Sequence, residues 1–281
     1  MSCRSRLAAL VLALLAAPTV AVKLTRGQVI GGVCAAAVPA CCEAYARLPP
    51  SWSDADLPAL PPLEEEHVII VLHGAGGPDA NVKRIATALR KSSNGKAQVI
   101  EYSWLPFVGD QLQAPYNAQR VGRHLATEIS RSHRPLARLH VVGISVGAFA
   151  ADELVADLAK RRGGSSIGGT ELKMTLLDPF TARGLPGLAR PSSAYGVTAF
   201  GKHADLAECV LNTDDPVPST ALPLRHAVNF DITDNKERAS FVPLDGDSLH
   251  SWPAAWYGMH PTALDGLSTG MQRGSTRPIL E

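Results

Sequence analysis

The stretch Gly143-Ile144-Ser145-Val146-Gly147 places a serine between two glycines at G-x-S-x-G spacing. A serine hydroxyl is a weak nucleophile until a neighbouring base takes its proton, and a sharp turn is needed to hold it in the open. Small residues beside it make such a turn feasible. The apolar run RLHVVGI leads into the motif and AFAADELVADLAK follows, which is the strand–turn–helix setting the motif requires. Ser145 is therefore expected at a helix start as nucleophile, with the backbone N–H of Val146 aimed at a developing oxyanion. The plainer alternative is a helix N-cap serine whose glycines only permit tight packing.

A second small-residue loop, His73-Gly74-Ala75-Gly76-Gly77, follows the apolar stretch 67–72. Glycines let backbone N–H groups approach a substrate oxygen, so Gly74 or Ala75 is the expected second oxyanion donor. His73 is expected to hold this loop by a hydrogen bond rather than to act as a base. The alternative is a flexible turn without a role.

Activating Ser145 takes a histidine, and orienting that histidine takes a carboxylate, in the chain order Ser, Asp, His. Asp178 closes the stretch LKMTLL, whereas Asp214 and Asp215 close ECVLNT. Spacing alone does not separate the two sites. His250, in DGDSLHSWP after the last expected strand, is the preferred base, with His260 as the alternative. His226 precedes that strand and falls at its wrong end. No metal ion and no organic cofactor is required by this chemistry, and no cysteine spacing suggests a zinc site.

These residues need elements to hold them. Residues 67–72 (HVIIVL) form a continuous apolar run, as a strand covered on both faces would. Helices are expected over 79–91, 117–133, 148–160 and 253–257, and strands over 97–104, 139–144, 172–177, 208–212 and 227–233. Strands alternating with helices predict an α/β class, a mostly parallel sheet flanked by helices. Catalytic groups in such sheets sit at the carboxyl ends of strands. Neither G-x-G-x-x-G nor G-x-x-x-x-G-K-[ST] occurs, which argues against a nucleotide fold. Residues 181–200 read equally as a lid and as an irregular connection. Trp104, Phe107 and Leu112 are candidates to line a pocket, and Trp252 and Trp256 lie near His250 in sequence.

The 27 basic and 26 acidic residues nearly cancel, so no net field would draw nucleic acid. At 46% hydrophobic residues, disorder of the whole chain is excluded. Residues 1–21 combine Arg4 and Arg6 with the apolar run 7–17 and small residues near 19–21, the pattern of a secretory signal peptide. The expected location is secreted or endomembrane-luminal, with a membrane anchor or organellar targeting as alternatives. Residues 22–62 then read as an apolar segment and a Pro-rich linker or wrap-around arm, and residues 63–281 as one catalytic domain. The 5 cysteines do not form a disulfide scaffold, and no N-x-Ser/Thr sequon is present.

Over about residues 67–260 the chain resembles the α/β-hydrolase superfamily, and within it most nearly the secreted lipase and phospholipase A1 family. The resemblance is carried by GISVGA at 143–148, by Leu177-Asp178-Pro179, and by ADLAECV at 204–210. That family's cysteine pattern and C-terminal lipid-associated domain have no counterpart in this sequence. The resemblance implies a serine hydrolase acting on carboxylic esters, lipase-like or esterase-like, and favours Asp178 as the acid. Expected partners are a small-molecule or lipid ester, with peripheral membrane contact left open and nucleic acid excluded. A non-catalytic binding protein of the same fold, or an acyltransferase or thioesterase using the same triad, are the competing readings.

Overall fold

A computed structural model describes residues 42–132, 134–162, 168–183, 194–244 and 248–281. The expected leader at 1–21 and the segment up to 41 lie outside the described residues, as do 184–193 of the stretch read as lid or connection.

Seven strands form one sheet: β1 (His67–Leu72), β2 (Gln98–Tyr102), β3 (Arg138–Ile144), β4 (Glu171–Leu177), β5 (Leu206–Leu211), β6 (Val228–Asp231) and β7 (Thr276–Pro278). Their order is β2-β1-β3-β4-β5-β6-β7, and every pairing is parallel. Parallel neighbours need crossovers, and helices supply most of them. These are α1 (Ala80–Ser92), α2 (Ala114–Arg131), α3 (Gly147–Arg161), α4 (Tyr195–Ala199) and α5 (Trp252–Met259).

Side chains alternate across the sheet. Val68, Ile70 and Leu72 of β1 face the layer of α2 and α3, where Val121, Leu125, Ile129, Leu154 and Leu158 are buried. Val71 faces the opposite layer with Val82, Ile85 and Leu89 of α1 and Trp252 and Trp256 of α5. Both faces are covered, which is why the central strands read as unbroken apolar runs. The architecture is thus α/β, with an all-parallel sheet between helical layers. No helix among the described residues is long and apolar enough to cross a membrane.

Several boundaries differ from expectation for physical reasons. The helix expected from 117 starts at Ala114, with Pro115 in its first turn, where a proline costs no helical hydrogen bond. Strand β7 and helix α4 had no counterpart in the reading, because TRP is a fully exposed three-residue edge and YGVTA is too short to show a period. Trp104 is fully buried rather than lining a pocket, Phe107 packs edge-on against Trp52 at 5.1 Å, and Trp252 and Trp256 are core. Residues 49–62 lie along the β2 edge as an arm. Leu57 is buried, the Tyr102 hydroxyl donates to the Pro58 carbonyl at 2.7 Å, and the Gln98 amide donates to that of Pro62 at 2.8 Å. Cys42 and Cys209 are buried.

The α1/α5 side of the sheet also buries charge. Glu208, fully buried on β5, accepts from Lys173 Nζ at 3.1 Å, Thr175 Oγ1 at 3.2 Å and Ser268 Oγ at 2.9 Å. Removing Lys173 would leave that carboxylate uncompensated. Lys173→Met is expected to lower unfolding stability by about 3–5 kcal/mol in urea titration. A loss under about 1 kcal/mol, the range of exposed pairs, would contradict this coupling.

Candidate functional site

Ser145 follows β3 directly and sits at φ +51, the left-handed region that a non-glycine residue rarely adopts. Neighbouring chain imposes it. The Ser145 N–H donates to the Leu177 carbonyl at 3.0 Å, and its own carbonyl accepts from Phe180 N at 3.1 Å and Ala148 N at 3.1 Å. The glycines on either side are steric requirements. A Cβ at Gly147 would lie 2.6 Å from the carbonyl oxygens of both Leu72 and His73, and one at Gly143 would lie 2.9 Å from Ala151 Cβ. The first turn of α3 therefore presses against the ends of β1 and β3. Val146 precedes that helix, where N–H groups have no intrahelical acceptor.

The HGAGG loop touches Ser145 from the end of β1. A Cβ added at Gly74 would stand 3.2 Å from Ser145 Cβ and 3.8 Å from its Oγ. His73 is buried, and burial lowers its pKa, so the ring is neutral. Its Nδ1 donates to the Gly74 carbonyl at 2.7 Å, while its Nε2 accepts from Trp104 N at 2.9 Å. The Trp104 indole returns a bond to the His73 carbonyl at 3.1 Å and stacks on the ring at 5.3 Å. His73 thus holds the loop, in the manner its sequence context suggested, and Trp104 backs it from beneath. Gly74 and Ala75 remain at the surface beside Ser145.

Asp178 occupies the corresponding place one strand over. Ile144 and Leu177 are register partners, so Ser145 and Asp178 are the residues immediately beyond adjacent strand ends. Asp178 is also left-handed, at φ +44, and its N–H donates to the Val210 carbonyl at 2.8 Å. Such strain persists only where surrounding bonds over-determine it, and it concentrates at functional sites.

His250 reaches the same corner from the 3₁₀ turn Leu249–Ser251. The turn is capped by Ser248 Oγ, which accepts from His250 N at 3.2 Å, and anchored by the Trp252 indole donating to the Ile232 carbonyl at 3.1 Å. Its Nδ1 lies 3.0 Å from Asp178 Oδ2 and 2.7 Å from Asp215 Oδ2. Both strand ends proposed for the acid therefore contribute a carboxylate to one imidazole. Burial disfavours the imidazolium, but hydrogen bonds and charge from Asp178 and Asp215 outweigh it and raise His250 to about 9. Burial likewise raises Asp178, to about 7. Asp215 resists its own burial through bonds from His250, Asp178, Thr220 and Val217 and falls to about 2.

The other candidates lie elsewhere. Asp214 is half exposed and takes a forked pair of bonds from Arg238 at 2.7 and 2.5 Å. His260 ends α5 and pairs with Glu237 at 2.7 Å, so as a base it is displaced from the corner that His250 occupies. Ser145 Oγ has no hydrogen-bond partner among the described residues; the structure joins His250 to the acids and Ser145 to the HGAGG loop. Two supporting residues carried no sequence signal. Asn212, fully buried, donates its N–H to Asp178 at 3.3 Å and its amide to the Leu249 carbonyl at 3.3 Å. Thr220 hydrogen-bonds Asp215.

Asp178, Asp215 and His250 offer ligand-type atoms within 4.8 Å of one another. His250 Nδ1 already bonds both carboxylates, and the Asp215 carboxylate is further occupied by Val217 N at 2.9 Å and by Thr220. The arrangement is an acid-supported imidazole bonded at the strand end next to the one that carries the strained Ser145. At the opposite end of the sheet, a cavity of about 180 Å³ is lined by His67, Arg138, His140, Lys173 and Asp265. Its lysine is committed to Glu208 and Asp265.

No protein-family model and no curated protein sequence matches the chain.

The elbow's close packing has a direct test. Gly147→Ala is expected to cost about 1–3 kcal/mol in thermal unfolding, through overpacking against fixed backbone. Gly76→Ala, whose Cβ would meet nothing within 4 Å, is the control. A Gly147→Ala protein within about 0.5 kcal/mol of the parent would contradict the close approach.

Proposed function

We propose that the chain is a serine hydrolase of the α/β-hydrolase fold that cleaves carboxylic esters, with Ser145 as nucleophile and His250 as general base. The observation that carries this reading is the junction at adjacent strand ends, where His250 Nδ1 meets Asp178 at 3.0 Å one strand over from the left-handed Ser145. An acid on Nδ1 leaves Nε2 directed away from the carboxylates, as a base toward a serine requires. The parallel strand order, with the serine turn after β3 and acids after β4 and β5, supports the fold assignment.

In this mechanism His250 accepts the Ser145 proton as Oγ attacks the ester carbonyl. The N–H of Val146 and one from Gly74 or Ala75 receive the negative oxygen. His250 returns the proton to the departing alcohol, leaving an acyl-serine. Water attacks that ester by the same steps in reverse roles, releasing the acid and restoring Ser145. Hydrogen bonds of this kind are often long in the unliganded state and tighten with substrate.

A second reading, a binding protein of the same fold without turnover, is favoured by one observation: the unpartnered Ser145 hydroxyl. Turnover of p-nitrophenyl acetate separates the two. Ser145→Ala and His250→Ala are each expected to lose about 10³-fold or more in kcat/KM. An inactive parent protein, or an active Ser145→Ala, would overturn the hydrolase reading.

The pH dependence follows from the charge around the base. His250 must be neutral to take the serine proton, and its neighbours hold it protonated up to about 9. The expected kcat/KM rises with pH through about 9. A plateau already reached near about pH 7, where an unperturbed imidazole is mostly neutral, would contradict the acid-supported His250.

A further inference from the structure

The corner at His250 holds one more carboxylate than a triad uses. A single Nδ1–H faces Asp215 Oδ2 at 2.7 Å and Asp178 Oδ2 at 3.0 Å, and carboxyl oxygens of the two acids lie within 4.8 Å of each other. Two carboxylates sharing one donor at this range repel when both are ionised, and a proton on one of them relieves the pair. The surrounding donors decide which. Among the described residues Asp215 receives the Val217 N–H at 2.9 Å and the Thr220 hydroxyl besides His250, whereas Asp178 receives, besides His250, the longer Asn212 N–H at 3.3 Å. Both carboxyl side chains are almost fully buried. The anion belongs where the donors are.

We propose that Asp178 carries a proton that it donates to Asp215, and that Asp215 is the anion that orients His250. Asp178 is then a positioning residue, acting on the base through its neighbour. Like charges this close do not both ionise freely, and the pair titrates as a unit. The directions agree: burial holds Asp178 up, at about 7, and the converging donors hold Asp215 down, at about 2. The other groups bearing on Asp178 are His250 itself and the thiol of Cys209, which its own burial keeps protonated. The kinetic part of this inference rests on the hydrolase reading; the proton placement does not.

The test compares Asp178→Asn, Asp178→Ala and Asp215→Asn in the full chain at about pH 6, below the value of about 7 at which Asp178 gives up its proton. An asparagine keeps a donor toward Asp215 and carries no charge, as the protonated acid does. Asp178→Ala is expected to lose about 10²-fold in kcat on p-nitrophenyl acetate with KM little changed, and Asp178→Asn no more than about 10-fold, while Asp215→Asn loses about 10³-fold or more. NMR titration of the His250 ring supplies a readout independent of turnover. Its pKa stays well above the ordinary imidazole range in Asp178→Asn and falls back toward that range in Asp215→Asn. Asp178→Asn as inactive as Asp178→Ala, with its fold intact by circular dichroism, would overturn the proposal, as would a His250 pKa that falls with Asp178→Asn alone. Should Asp215→Asn fail to fold, the two Asp178 variants still decide. An inactive parent protein would sink the hydrolase reading, with the ring titration still testing the shared proton.

Discussion

A single imidazole N–H between two carboxyl groups constrains the rest of this molecule. Buried acids are costly unless paired and hydrogen-bonded, and here two of them converge on His250. The convergence needs β4 and β5 side by side and parallel, so that Asp178 and the segment up to Asp215 leave the sheet at one corner. Thr220, Val217 and Asn212 must close round the carboxylates, and the Trp252 indole must anchor the turn that brings His250 in. Each contact is ordinary alone. Their joint effect is an imidazole of fixed orientation with raised affinity for a proton.

The opposite wall is made rigid by steric means. The first turn of α3 lies so close to β1 that Gly147 admits no side chain, and Ser145 accepts a left-handed backbone held by bonds on both sides of its peptide. The HGAGG loop, although rich in glycine, is pinned through both nitrogens of a neutral His73 and backed by Trp104. Glycine here serves close approach. Donors aimed before substrate arrives cost little reorganisation during reaction, which is the main source of electrostatic catalysis.

Much of this was legible in the residues because it depends on local signals. Continuous apolar runs marked β1, β3 and β4, helical spacing marked α1 and α3, and G-x-S-x-G marked the turn at Ser145 with its glycines in the positions the packing demands. His250 stood out as a histidine beyond the last expected strand. The identity of the acid was not legible, since it turns on which strand end faces the imidazole, a matter of register and loop path. The structure brings Asp178 and Asp215 together and ties Asp214, one position away, to Arg238. Asn212 and Thr220 carried no pattern at all, because their roles exist only once distant loops meet. The edge strand β7 carries no apolar pattern for a similar reason: its three exposed residues pair with β6 without burying anything.

The central claim is that Ser145 is a nucleophile activated by His250. Reaction of the full chain with a fluorophosphonate, followed by peptide mapping in a mass spectrometer, tests it most directly. The expected result is one phosphonyl adduct per chain, on the peptide containing Ser145, with labelling lost in His250→Ala. A chain that takes up no reagent, or takes it up on another residue, would contradict the account.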